Sequence, residues 1–211
     1  MTPGMRRPLS ALLGLLLLSC SPPPRPSVDG YSARVAIRSN GISEAKFRIV
    51  VRGASYRRDP ETPGGPFLIL LAQEQKAYRL DPGAKVFSEI PYAQATDEFL
   101  PGFPLSPGFN DREEAEKRGI TEYRRESDEV FAGMVCSLWR FVDLPDAVVS
   151  PATVYWVAPS LENLTIRMDR EIPKPDGTWS RRTVELMDIR VGVSSRLFEI
   201  PVDFHPASPL H

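Results

Sequence analysis

The sequence contains few of the residues that build metal centres, disulfide frameworks or nucleophilic active sites. Its 211 residues include two cysteines and two histidines, and both histidines, His205 and His211, lie in the last seven residues. Two cysteines cannot form a disulfide framework, and two imidazoles near one end can hardly build a metal or catalytic centre. The motifs G-x-S-x-G, H-E-x-x-H and C-x-x-C do not occur, and neither does a phosphate-binding glycine loop. We therefore expect no enzyme activity, no metal and no cofactor.

An excess of charge of one sign is also missing. The chain has 26 Lys and Arg residues against 27 Asp and Glu residues, a formal net charge of -1. Proteins that bind a phosphate backbone carry a basic surplus, so we expect no nucleic acid among the partners. The 22 prolines are roughly twice the average usage, which favours strands, turns and linkers over long helices.

The amino terminus has the layout of a bacterial lipoprotein signal. Arg6 and Arg7 precede an apolar run over residues 9–18, which is too short to span a bilayer. The run ends in Leu-Leu-Ser-Cys, and this resembles the lipobox, in which the cysteine sulfur receives a diacylglycerol and the signal is cut before it. We therefore predict that residues 1–19 are removed and that Cys20 is lipidated, so that the membrane is a partner through this anchor. The alternative is an unmodified cysteine in an ordinary signal peptide or in a buried helix.

The residues after Cys20 predict a tether and a destination. Four prolines between Ser21 and Ser27 favour an extended spacer that can hold a domain about 20 Å from the lipid. Residues 20–28 therefore form the predicted tether. By resemblance to the sorting rule of enteric bacteria, Ser21 in place of aspartate implies the periplasmic face of the outer membrane, with the inner membrane as the alternative.

Alternation of apolar and polar residues predicts that the mature chain is mainly β. Residues 31–37 and 45–51 flank Asn40-Gly41, the strongest short hairpin signal. We expect about 10–11 antiparallel strands, with Ser55 to Asp59 as a short edge strand. Two short helices are expected over 92–100 and 111–118, the second capped by Asn110. The expected fold is a single, strongly curved antiparallel sheet that forms an incomplete, open β-barrel, with short helices or loops plugging or covering its concave side.

One loop attracts particular interest. Residues 100–109 read LPGFPLSPGF, where large apolar residues alternate with prolines and glycines that prevent regular structure. Such side chains must either be buried or contact a ligand or membrane. The loop is therefore either a plug packed into the concave side or a lid over a hydrophobic ligand. Its candidate residues are Leu100, Phe103, Leu105 and Phe109.

Other chemically active residues have simpler interpretations. Cys136 lies on a predicted strand without a neighbouring base, which favours a buried, unreactive thiol. The carboxylate pairs Asp97 with Glu98 and Asp143 with Asp146 fall in polar segments, so we expect a solvated surface rather than an acid–base pair.

The amino-acid sequence of the predicted strands resembles that of a known superfamily. The stretches that carry the resemblance are KFRIVVRGASYRRD, AYRLDPGAKVFSEIP, FAGMVCSLWRF, VYWVAPSLENL, RTVELMDIRVG and RLFEIPVDF. Their order is similar to that in the LolA/LolB-like superfamily of bacterial envelope proteins, in particular its branch of uncharacterised domains. The resemblance implies an open β domain over residues 29–204, with a C-terminal tail at 205–211. It also implies an apolar cavity for acyl chains.

Two functions follow from these expectations. The first is an envelope lipoprotein that binds a lipid, a lipoprotein acyl chain or another hydrophobic ligand in an open cavity. The second is a structural or protein-interaction lipoprotein whose barrel is plugged by its own side chains. The packing of the interior distinguishes them.

Overall fold

The computed structural model describes residues 28–207 apart from residue 101 and residues 144–150, and it describes residue 97 without its side chain. Cys20 and the predicted signal and tether up to residue 27 lie outside the described residues. The strands are β1 (Tyr31–Ser39), β2 (Ile42–Arg52), β3 (Ser55–Pro60), β4 (Phe67–Leu71), β5 (Lys76–Asp81), β6 (Val86–Ile90), β7 (Glu122–Phe131), β8 (Met134–Val142), β9 (Ala152–Ala158), β10 (Leu164–Pro173), β11 (Trp179–Val191) and β12 (His205–Pro206). The helices are α1 (Tyr92–Phe99) and α2 (Asp111–Arg118), both between β6 and β7.

All twelve strands belong to one sheet in the order β12-β6-β5-β4-β3-β2-β1-β11-β10-β9-β8-β7. Every neighbouring pair is antiparallel except β12 and β6, which run parallel. The sheet is curved and is not closed into a barrel. The prediction of a mainly β, open and curved antiparallel sheet is therefore confirmed. No helix of the described residues is long and apolar enough to cross a membrane.

The two faces of the sheet are covered by different parts of the chain. On the face that we call inner, β1 and β2 bury alternate residues such as Val35 and Ile49 in one large core, which also contains residues from α1, α2 and the loop between them. On the outer face, the segment 193–204 packs over Val50, Ile69 and Leu80 in a second, smaller core. The helices and their loop are thereby held against the inner face.

The local sequence signals explain most element boundaries. Asn40 and Gly41 both have positive φ angles, 49° and 82°, as a two-residue type I′ hairpin turn requires. The side chain of Asn110 accepts hydrogen bonds from the backbone N–H groups of Arg112 and Glu113, and Gly119 ends α2 in the left-handed conformation. The predicted range 111–118 matches α2, whereas the helix predicted over 92–100 ends one residue earlier.

Two expectations about the strands need correction. The segment at β3 was expected to form an edge strand, but β3 lies between β2 and β4 in the interior of the sheet. The count of 10–11 strands falls short of twelve, because a two-residue parallel strand has no periodicity in the sequence. This strand, β12, includes the first two residues of the segment expected to be a tail.

Candidate ligand-binding site at the strap

The loop of residues 100–109 lies between α1 and α2, and we call it the strap; the structure describes all of its residues except 101. Leu100 and Phe103 are 5% and 6% exposed and belong to the large core. Leu105 and Phe109 are only half-buried, although both pack against the same core. The four predicted residues therefore separate into a buried first half and a partly exposed second half.

Three hydrogen bonds fix the backbone of the second half of the strap, one from β1 and two to the turn before β10. The buried hydroxyl of Tyr31 on β1 donates to the carbonyl oxygen of Leu105 over 2.7 Å. Gly108 N–H donates to the carbonyl of Glu162 over 2.6 Å, and Phe109 N–H donates to that of Asn163 over 3.0 Å. Burial raises the pKa of Tyr31 far above its usual value, so the hydroxyl remains a donor. The backbone of the strap is thus held at Leu105, at Gly108 and at Phe109.

Phe109 completes an aromatic cluster at the base of the site. Its ring centroid lies 6.2 Å from that of Phe141 and 5.2 Å from that of Tyr155. Tyr123 stacks on Phe141 at 5.3 Å. Because such pairs contribute about 0.5–1.5 kcal/mol each beyond burial, the cluster holds the end of the strap against β8 and β9.

A polar network lies beside this cluster and fixes the end of α2. Arg118 donates to the hydroxyl of Tyr155 over 2.6 Å and to that of Thr153 over 2.9 Å, and it pairs with Asp143. The hydroxyl of Tyr155 in turn donates to Glu114 over 3.0 Å. Burial raises the pKa of Tyr155, although the nearby Arg118 acts against this rise. The network ties α2 to β9 and so fixes the position of the helix that lines the cleft beside the strap.

Two open clefts adjoin the strap. The first, about 440 Å³, lies between the strap and α2. Its lining includes the apolar Phe103, Leu105 and Phe109 of the strap and the polar Asn110, Glu113, Glu114 and Lys117. The second, about 470 Å³, shares Gly102 and Glu114 with the first and is otherwise lined by Arg118, Asp143, Pro151, Tyr155, Arg170, Glu171 and Pro173. Both volumes fall within the range of small-ligand sites. The first cleft combines apolar and polar walls, which suits an amphiphilic molecule.

The structure also places the other predicted residues. Cys136 is fully buried, and burial raises the pKa of its thiol. Asp143 was expected on a solvated surface, but its side chain is 17% exposed because Arg118 and Thr153 hold it. Asp146 lies outside the described residues. In the part of the chain that the structure describes, no group of three or more His, Cys, Asp or Glu residues could hold a metal ion.

Sequence reasoning missed the residues that organise this site. Tyr31 reads as one more alternating residue of β1, and no spacing connects it with Leu105, 74 residues away. Arg118 is the last residue of a charged helix, and its partners lie 25–37 residues further along the chain. Only the strap's own composition indicated that the site lies here.

Comparison with known proteins shows a similarity of fold. No family model matches the chain, and no curated protein sequence matches it. A LolA superfamily protein from Nitrosomonas europaea aligns with 82% of this chain and 90% of its own at a TM-score of 0.33 and 9% identity. LprF from Mycobacterium bovis covers 83% and 90% at a TM-score of 0.43 and 10% identity.

The Pseudomonas aeruginosa MucA/MucB complex aligns with 82% of this chain at a TM-score of 0.47 and 7% identity. The present chain spans 56% of that protein's length. The solved structures that align with this chain thus include a LolA superfamily protein, LprF and the MucA/MucB complex. The similarity concerns the fold alone.

Proposed function

We propose that this chain is an envelope lipoprotein that binds an acyl chain or a similar apolar group in the first cleft, between the second half of the strap and α2. The observation that carries the proposal is the half-burial of Leu105 and Phe109 beside the first cleft. Large apolar side chains on a strap with a fixed backbone already form one wall of a groove. A ligand that enters the groove buries these side chains and gains the hydrophobic free energy of that burial.

The polar side of the cleft suits the head of an amphiphile. Lys117 and Glu113 both line this cleft, and the ammonium group of Lys117 is 2.9 Å from the carboxylate of Glu113. The hydrogen bond to Glu113 raises the pKa of Lys117, so the amine stays protonated. An apolar chain against Phe109 with its polar head near Lys117 satisfies both walls.

We propose a binding role rather than a catalytic one. The titratable groups nearest the strap are engaged in fixed pairs, because Arg118 holds Asp143 and Tyr155 donates to Glu114. A catalytic acid or base needs a perturbed group that can reach a substrate. The pairs at this site act on the position of α2 instead.

Attachment through Cys20 is part of the proposal. The first described residues support a fixed junction, since Val28 packs against the large core and Asp29 pairs with Arg52 over 2.8 Å. Metabolic labelling with a fatty acid should mark the wild-type chain and leave Cys20→Ala unlabelled. Label retained in the variant would contradict the anchor, and fractionation would then test the outer-membrane location separately.

The binding role is tested by native mass spectrometry and a fluorescent acyl probe. We expect copurified lipid on the wild-type chain and weaker probe binding by Leu105→Ala. Val202→Ala is the matched control, because Val202 is fully exposed and distant from the strap in the sequence. A chain that is repeatedly free of lipid and does not bind the probe would contradict the proposal.

That negative result would favour a second candidate, an interaction lipoprotein without a small ligand. The observation in its favour is the burial of Leu100 and Phe103, which fill the inner face as a plug does. This candidate predicts a stable protein complex and no effect of Leu105→Ala on probe binding.

A further inference from the structure

Three arginines lie together on the outer face of the sheet, on the side opposite to the strap. Arg34 on β1, Arg48 on β2 and Arg190 on β11 are all exposed. Their neighbours Val35 and Ile49 are fully buried in the inner-face core, and side chains alternate between the faces of a strand. Arg34, Arg48 and Arg190 are called the arginine group below.

The arginine group is electrostatically unfavourable in the isolated protein. Arg34 and Arg48 are direct cross-strand partners, and like charges at such positions destabilise a sheet. Arg34 pairs with Asp188, where both side chains are more than half exposed. Among the described residues, no carboxylate forms an ion pair with Arg48 or Arg190. Asp59 on β3 is the other cross-strand partner of Arg48, but it pairs with Arg57 over 2.7 Å. Among the described residues, Asp188 is therefore the one carboxylate that forms an ion pair with the arginine group.

A β-bulge shapes the backbone at this point. Ser32 pairs with Arg190 and Arg34 pairs with Met187, so β11 has one extra residue between these pairs. Asp188, in the bulge, has a φ angle of 51°, which is uncommon for a residue other than glycine. Bulges often redirect side chains next to functional sites. Here the bulge places Arg190 and Asp188 around one depression.

The depression is large enough for an anionic group with part of a larger molecule. It measures about 210 Å³ and is lined by Ser32, Ala33, Arg34, Arg48, Asp188 and Arg190. Ser32 is 3% exposed, and its hydroxyl accepts a hydrogen bond from Arg48 over 3.2 Å. The buried hydroxyl therefore holds one guanidinium at the floor of the depression. A second depression of about 390 Å³ shares Arg34 and Arg48 and adds Lys46, together with the carboxylates of Asp59 and Glu61.

We propose that the arginine group binds a phosphate group. Planar guanidinium groups donate paired hydrogen bonds that match the geometry of phosphate oxygens. A phosphate also neutralises the repulsion between Arg34 and Arg48, so the same residues that destabilise the free sheet stabilise the complex. The phosphate can belong to a lipid headgroup or be free phosphate, and the two sources differ in whether the phosphorus carries ester groups.

The experiment titrates the full chain with two soluble probes, inorganic phosphate and glycerophosphoglycerol, the deacylated form of phosphatidylglycerol. Saturable binding is expected, with a rise in melting temperature relative to chloride at equal ionic strength. Arg48→Gln and Arg190→Gln should each weaken binding about tenfold or more, as expected for the loss of a charge-assisted hydrogen bond. Arg124→Gln is the control, because its side chain is 72% exposed on β7. Tighter binding of glycerophosphoglycerol indicates a lipid source, and tighter binding of inorganic phosphate indicates free phosphate.

The proposal is overturned if neither probe binds saturably, or if Arg124→Gln weakens binding as much as the other two substitutions. Binding of the acyl probe serves as the second measurement, because it reports on the strap alone. Arg48→Gln should leave acyl-probe affinity unchanged. A loss of phosphate binding can then be told apart from a misfolded variant or from a failure of the proposed function.

Discussion

Phe103→Ala and Leu105→Ala, made separately, measure how the two halves of the strap contribute to stability and binding. Phe103 is 6% exposed inside the large core, so its truncation leaves a cavity that the neighbouring strands cannot fill. The cost for a buried phenylalanine is about 3–5 kcal/mol. For a domain of this size each kcal/mol lowers the melting temperature by about 2–4 °C, so a fall of about 6–20 °C is expected.

Leu105 should behave differently because it is half-buried and lies beside the cleft. Its truncation removes less buried surface, and we expect a loss of about 1–2 kcal/mol. Affinity for an acyl probe should fall more clearly than stability. Guanidinium unfolding and probe titration on both variants separate the two effects, with Val202→Ala as the exposed control.

An unchanged denaturation midpoint in Phe103→Ala would contradict the burial of Phe103 as a plug residue, since its truncation must leave a cavity. The difference between the two halves of the strap would be refuted if Leu105→Ala cost as much stability as Phe103→Ala and left probe affinity intact. That outcome would mean that the whole strap is a plug.

Three further predictions concern groups outside the cleft. Tyr31→Phe removes the hydrogen bond to Leu105 and should cost about 1–3 kcal/mol, with faster amide exchange at the strap. Burial raises the pKa of Asp169, but hydrogen bonds from Arg167 and other residues lower it below its ordinary value overall. The stability from Asp169 is present above its unfolded pKa of about 3.9 and is lost as the pH falls through the lower folded value, so unfolding curves of Asp169→Asn should depend less on pH in that range. Cys136 should react with a thiol reagent only when the chain unfolds, because its thiol is fully buried; fast labelling of the native chain would contradict this.

Local signals allowed the sequence to predict the parts of the fold that depend on neighbouring residues. The hairpin turn at Asn40-Gly41 and the limits of α2 follow from the conformations that Asn and Gly adopt and from the cap of Asn110. These features need no knowledge of the rest of the chain.

Features that depend on distant residues could not be predicted in the same way. The alternation within β3 resembles that of an edge strand, and its interior position comes from pairing with both β2 and β4. The segment 193–204 has no strand-like alternation in the sequence, yet Phe198 is buried in the second core on the outer face. The position of β3 and the burial of Phe198 both depend on packing between distant parts of the chain. Local patterns in a single sequence do not indicate such packing.

The candidate site shows the same division. The composition of the strap indicated where large apolar residues meet an irregular backbone, but it left open whether they are buried. The structure shows Phe103 buried and Phe109 half-buried in an aromatic cluster with Phe141. The backbone at Phe109 is fixed by the hydrogen bonds from Gly108 and Phe109 to the turn before β10. These bonds join residues more than 50 positions apart, so no local pattern in the sequence predicts them.

The most direct test of acyl-chain binding beside the strap is photolabelling of the chain with a diazirine fatty acid, followed by peptide mapping. Crosslinks are expected in the second half of the strap, around Leu105 and Phe109, and in α2 near Lys117, where the first cleft lies. Excess unlabelled fatty acid should abolish these crosslinks, and Leu105→Ala should reduce them. Crosslinks that are spread evenly over the surface, or confined to other parts of the sheet, would contradict a ligand site in the cleft between the strap and α2.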